Sequence, residues 1–183
     1  MSAPKKQTLK NPVVRAFVIG ISTGFGAGYL PKAPGTWGSL LGIPLGIAIL
    51  NMSYSKAILL LLGLFIAFSY LAELASRHWQ SGDPQKIVSD EIFGQALTFL
   101  GFKIFHFHPE LMMKTPWGLS PSIGWLLVAF GLFRLFDITK PFPARIFDRH
   151  EGGLGIMADD GVAGLYAGLC IWMLCKIWIT NPI

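Results

Sequence analysis

Half of the acidic residues in this 183-residue chain fall in one stretch, Arg134 to Gly161: Asp137, Asp148, Glu151, Asp159 and Asp160. The same stretch holds Arg134, Lys140, Arg145 and Arg149, with prolines and glycines between them. Carboxylates beside Lys and Arg, on a backbone fixed by such residues, can hold a hard cation and the phosphate it neutralises. A second acidic pair, Asp90-Glu91, stands like Asp159-Asp160 where a polar segment gives way to an apolar one. Ionised carboxylates near hydrocarbon are costly unless paired or cation-bound. Four of them on converging loops would need a counter-charge, and all-oxygen ligands favour Mg²⁺ or Mn²⁺ over Zn²⁺. The plainer reading is a set of solvated loops, the acids capping helix N-termini and binding nothing.

Other groups could take a phosphate. Pro34-Gly35-Thr36-Trp37-Gly38-Ser39 lacks the lysine and spacing of a P-loop. Its glycines let backbone N–H groups approach an anion, and Thr36 and Ser39 sit one turn apart at a helix start; a simple turn with a capping residue fits as well. Asp137 and Lys140 face the same way if a helix persists there, until Pro141 and Pro143 end it. Arg145 and Arg149, four apart, either fork onto a phosphate or pair with Asp148 and Glu151 at the surface. The run Gly152-Gly153-Leu154-Gly155 allows a sharp turn. His106 and His108 fall on the far face, and His78 and His150 have no neighbour suggesting a triad, which disfavours phosphohistidine chemistry. Cys170 and Cys175, five apart in an apolar run, point to different helix faces and read as buried apolar residues.

These groups must be carried by a membrane bundle. Hydrophobic residues make up 52% and charged residues 14%, with a mean hydropathy of +0.54; soluble domains carry about a quarter charged residues. The expected fold is all-α, a polytopic helical bundle of about five transmembrane helices in one domain over 1–183, with 1–12 a basic cytosolic tail. The spans are Thr36–Met52, Ala57–Ala72, Ile87–Phe107, Ile123–Phe136 and Gly161–Ile179. Val13–Tyr29, broken by Gly20, Gly24, Gly26 and Gly28, reads as an interfacial or buried helix. Two spans separate each motif stretch from the next, so Pro31–Ser39, Arg77–Glu91 and Asp137–Asp160 meet at one face. That face carries Lys32, Arg77, Lys86, Lys140, Arg145 and Arg149, against Lys56 and Lys114 opposite, which makes it cytoplasmic. The tail's Lys5, Lys6, Lys10 and Arg15 agree if Val13–Tyr29 does not cross. The net charge of +5 is then a signal for anionic lipid, and no nucleic-acid partner is expected.

Four ordered motifs, PKAPGTWGSL (31–40), VSDEIFGQ (88–95), FRLFDITKPFPARIFD (133–148) and GGLGIMADDGVAG (152–164), resemble those of the phosphatidylglycerophosphatase A family. The resemblance runs from about Gly24 to Gly168. It implies a Mg²⁺-dependent phosphatase of the bacterial inner membrane. That enzyme hydrolyses the phosphomonoester of phosphatidylglycerophosphate, a phospholipid substrate, to phosphatidylglycerol and phosphate. Joined to the residue reading, it assigns Asp90, Glu91, Asp159 and Asp160 to Mg²⁺. Asp137 is then the general base or a further ligand, with Asp160 also counted as catalytic. Lys32, Thr36, Ser39, Lys140 and Arg145 take the phosphate. Direct water attack and a covalent aspartyl-phosphate both remain open. A transporter or channel subunit is the alternative, but it would need charge deeper within its spans. A phosphotransferase using a nucleotide-activated alcohol would need a spaced aspartate pattern on one helix.

Overall fold

The computed structural model describes residues 9–79, 85–104, 121–147 and 152–180. The expectations for Lys5, Lys6, His106, His108, Lys114, Asp148, Arg149, His150 and Glu151 lie outside the described residues. The described residues are all-α. In chain order they form α1 (Pro12–Ser22), a 3-10 turn (Ala27–Tyr29), α2 (Pro34–Leu50), α3 (Tyr54–Trp79), α4 (Ser89–Thr98), α5 (Leu100–Ile104), α6 (Pro121–Thr139), α7 (Ala144–Phe147) and α8 (Gly153–Thr180).

Among the described residues, α3 and α8 are long and apolar enough to cross a membrane. α1 has 11 residues, too few to cross alone at 1.5 Å per residue. It starts on Asn11, whose Oδ1 accepts from the Val13 and Val14 amides, followed by Pro12 at the first helical position.

Short α4 is the centre of the bundle, packed between α2 and α8. Phe93 through Thr98 are all buried. Gly38, Gly42 and Gly46 recur every four residues along α2, and a methyl on any of them would run into Val88, Ile92 and Gln95, or Phe99. Across the other side, a methyl on Gly94 would meet the Asp160 carbonyl, and one on Gly164 the Gly94 carbonyl. Small-residue stripes of this kind let helix backbones approach closely where no hydrophobic effect drives them together.

Three elements differ from the sequence expectation. The helix expected to end at Ala72 continues to Trp79, because Leu71–Ala75 are good helix formers and Glu73 pairs with Arg77 one turn on, at 2.7 Å. The single span expected from Ile87 breaks at Phe99 into α4 and α5. There the Thr98 hydroxyl bonds back to the Gly94 carbonyl at 3.1 Å, a contact that bends helices. The last helix starts at Gly153 rather than Gly161, its first amide held by Glu73 Oε2 of α3 at 2.7 Å. Asp159 and Asp160 consequently sit in the second turn of α8, not ahead of it. Cys170 and Cys175 are both free thiols, Cys175 buried.

Candidate active-site cleft

Four segments far apart in sequence line one cleft of about 350 Å³: Ala33 to Gly35, Gln85 to Glu91, Arg134 to Lys140, and Ile156 to Asp160. The start of α2 supplies the first, with Ala33 in a left-handed conformation (φ 48°) before Pro34. α4 presents Asp90 and Glu91 in its first turn. The end of α6 supplies Arg134 and Asp137, one turn apart, and the bend after it supplies Lys140. α8 supplies Asp159 and Asp160.

Five carboxylates face two cations here, Arg134 and Lys140. Asp137 pairs with Arg134, and Asp159 Oδ2 accepts from Lys140 Nζ at 2.8 Å. Asp90, Glu91 and Asp160 are left as a group whose ligand atoms lie within 4.8 Å of one another. Asp160 also faces Asp137 and Asp159, so like charge surrounds it. One buried oxygen on each of the three, Asp90 Oδ1, Glu91 Oε2 and Asp160 Oδ2, has no hydrogen-bond partner, and the same holds for Asp159 Oδ1, the oxygen that Lys140 does not reach. Two unit charges at that separation repel by roughly 3 kcal/mol at an effective dielectric of about 20. Ionised together, the three need a positive charge among them. Their all-oxygen donor set suits a hard divalent cation, so they form an acidic group able to hold a metal ion.

The expected site residues are distributed unevenly around this cleft. Asp90, Glu91, Asp137, Lys140, Asp159 and Asp160 all line it. Ser39 lies buried behind it, where its hydroxyl donates to the Gly35 carbonyl at 2.8 Å and accepts from Arg134 Nη1 at 3.5 Å. Lys32 and Arg145 are exposed and Thr36 half-buried, and none of the three is among the lining residues. His78, on α3, is not among them either. Arg134 is the residue that sequence reasoning passed over. It bridges Asp137 and Ser39, and a methyl on Gly35 would stand 3.0 Å from its Nη1 as well as against Glu91 Oε1. Its signal was a lone arginine in an apolar run with an aspartate three residues on, which one helix face must bring together.

Fold and cleft together define a class: an all-α protein with long apolar helices and a carboxylate-lined polar cleft carrying two cations. The model of the family "Phosphatidylglycerophosphatase A" matches residues 20–175, and the chain belongs to that family of enzymes. It is 37% identical over 177 residues to the Haemophilus influenzae protein named phosphatidylglycerophosphatase A, covering 93% of this chain and 96% of the relative. The Escherichia coli K12 protein of the same name is 31% identical over 160 residues, covering 86% and 83%. A Bacteroides thetaiotaomicron protein, provisionally named a phosphatidylinositol-3-phosphatase, is 33% identical over 167 residues, covering 89% and 95%. No solved structure matches the chain.

Proposed function

We propose that this chain hydrolyses the terminal phosphomonoester of phosphatidylglycerophosphate, releasing phosphatidylglycerol and inorganic phosphate, with Mg²⁺ held by Asp90, Glu91 and Asp160. The observation that carries the reading is the Asp90, Glu91 and Asp160 group, its ligand atoms within 4.8 Å of one another and each residue with an unpartnered buried oxygen, in the same cleft as Arg134 and Lys140. When bound, Mg²⁺ neutralises the acidic group and acts as a Lewis acid on the phosphate oxygens. Arg134 and Lys140 bind the remaining phosphate oxygens and stabilise charge as it develops there. Asp137, oriented by Arg134, takes a proton from the attacking water as the new O–P bond forms. The bond to the glycerol oxygen breaks, and that oxygen leaves as the alcohol with the proton Asp137 took from the water. Asp159 holds the Lys140 ammonium at the cleft wall, and Ser39 steadies Arg134 from behind. Lys32, Thr36 and Arg145 act at most on the approach of the substrate.

The membrane arrangement belongs to the same proposal. The chain forms one domain, and α2, α3, the α4–α5 pair, α6 and α8 make five passes with α1 at the interface. The cleft opens to the cytoplasm of a bacterial inner membrane. Three features support this: segments separated by pairs of passes line one cleft, Lys140 lines it while Lys32 and Lys86 adjoin lining residues in the sequence, and the named relatives are bacterial.

The test uses purified full-length protein, phosphatidylglycerophosphate in mixed micelles and no acceptor alcohol. Phosphate release that stops in excess chelator and returns with added Mg²⁺ is the expected result. Undiminished release in chelator after dialysis would remove the metal from the proposal, and no release under any condition would remove the phosphatase.

A further inference from the structure

The segment between α6 and α7 turns two chemistries in opposite directions. Lys140 has a left-handed backbone (φ 43°), and its amide closes α6 on the Phe136 carbonyl at 2.9 Å. Its ammonium lines the cleft and donates to Asp159. On either side of it, two residues away, Ile138 and Phe142 are 72% and 77% exposed. Ile138 also lines the cleft, so the apolar surface is continuous with the polar interior. The bend is pinned to the bundle: Tyr166 Oη of α8 donates to the Phe142 carbonyl at 2.7 Å, and the Tyr166 ring meets Phe136 at 5.7 Å between centroids. Ile146, the third residue of α7, adds a further exposed apolar side chain.

We propose that Ile138 and Phe142 form the lip on which the substrate's diacylglycerol portion rests while its phosphate reaches Lys140 and Arg134 inside. A phospholipid is apolar at one end and dianionic at the other, and residues 138–142 match that polarity within five positions. The surface is held in place by α8 and therefore acts as a fixed edge of the cleft. The inference rests on the phosphatase reading and adds to it a chain-length preference set by these two side chains.

The experiment compares kcat/KM for dioleoyl and dihexanoyl phosphatidylglycerophosphate in the same detergent. The short chains reach little of the lip, so the long-to-short ratio reports on it. Phe142→Ser and Ile138→Ser should each lower that ratio about tenfold, the scale of losing apolar contact from one large side chain. Phe142→Leu should keep most of it. Ile66→Ser, at a 62%-exposed position of α3 outside the cleft, should leave the ratio at its wild-type value. An unchanged ratio in both Phe142→Ser and Ile138→Ser would overturn the lip. An equal fall in Ile66→Ser would do the same, since any exposed apolar position would then serve. Failure of the wild-type protein to release phosphate from either lipid would count against the phosphatase reading itself.

Discussion

Among the described residues, two places bury charge, and they treat it in opposite ways. In α5, Lys103 is 8% exposed. Its ammonium donates to the Leu50 carbonyl at 3.3 Å and to the Met52 carbonyl, and it sits 5.0 Å from the centre of the Tyr54 ring. Tyr54 returns a bond to the Lys103 carbonyl at 2.6 Å. The lysine therefore caps the end of α2, where the helix dipole is negative, and every partner comes from the protein. In the cleft, by contrast, Asp90, Glu91 and Asp160 crowd together with an oxygen each left over. A satisfied buried charge holds a structure together. An unsatisfied cluster costs stability and makes sense if something else completes it.

That contrast can be broken by experiment. The largest effect is expected at the acidic group, where Asp160→Asn or Asp90→Asn should cut phosphate release on the order of 10³-fold. Because each change removes like-charge repulsion, thermal unfolding of the metal-free protein should be unchanged or shifted upward. A marked fall in melting temperature would mean the carboxylates are structural after all. Next comes Arg134→Lys, which keeps a charge but cannot serve Asp137 and Ser39 as a fork. Turnover should drop about 10²-fold at unchanged melting temperature. Near-normal kinetics there would reduce Arg134 to a surface ion pair.

The far end should show the reverse pattern. Lys103→Met takes the ammonium from two part-buried carbonyls, so stability should fall by roughly 1 kcal/mol or more while the folded fraction turns over within about twofold of wild type. A large kinetic defect at full stability would erase the distinction between the two ends. The smallest effect is expected for His78→Ala, which should retain activity within about twofold. Loss of turnover there with a normal fold would bring histidine chemistry back.

The acidic pairs were legible in the sequence because two DE/DD pairs in a chain with only 14% charged residues stand out against their background. Lys140 was legible for the same reason. Arg134 was hidden by its neighbours, Leu132-Phe133 and Leu135-Phe136, which read as the end of a span. Spacing also placed Lys32, Thr36 and Arg145 near the motifs without saying which side of a helix meets the cleft; the structure has none of them in the lining. In the fold, apolar runs located the helices but not their ends. The start of α8 depends on Glu73, eighty positions away, and no local pattern shows that partner. The break at Phe99 depends on one hydroxyl, Thr98, bonding back along its own helix.

The seam of Gly94 against Gly164 has a consequence for how the protein is made. Asp90 emerges from the ribosome seventy positions ahead of Asp160, and α4 is too short to hold its place in a bilayer by itself. Until α8 arrives and the two backbones close on each other, the acidic residues belong to separate, unfinished pieces. The cleft is therefore completed only once α8 is made, so a chain truncated before α8 has its first acidic pair but no assembled acidic group.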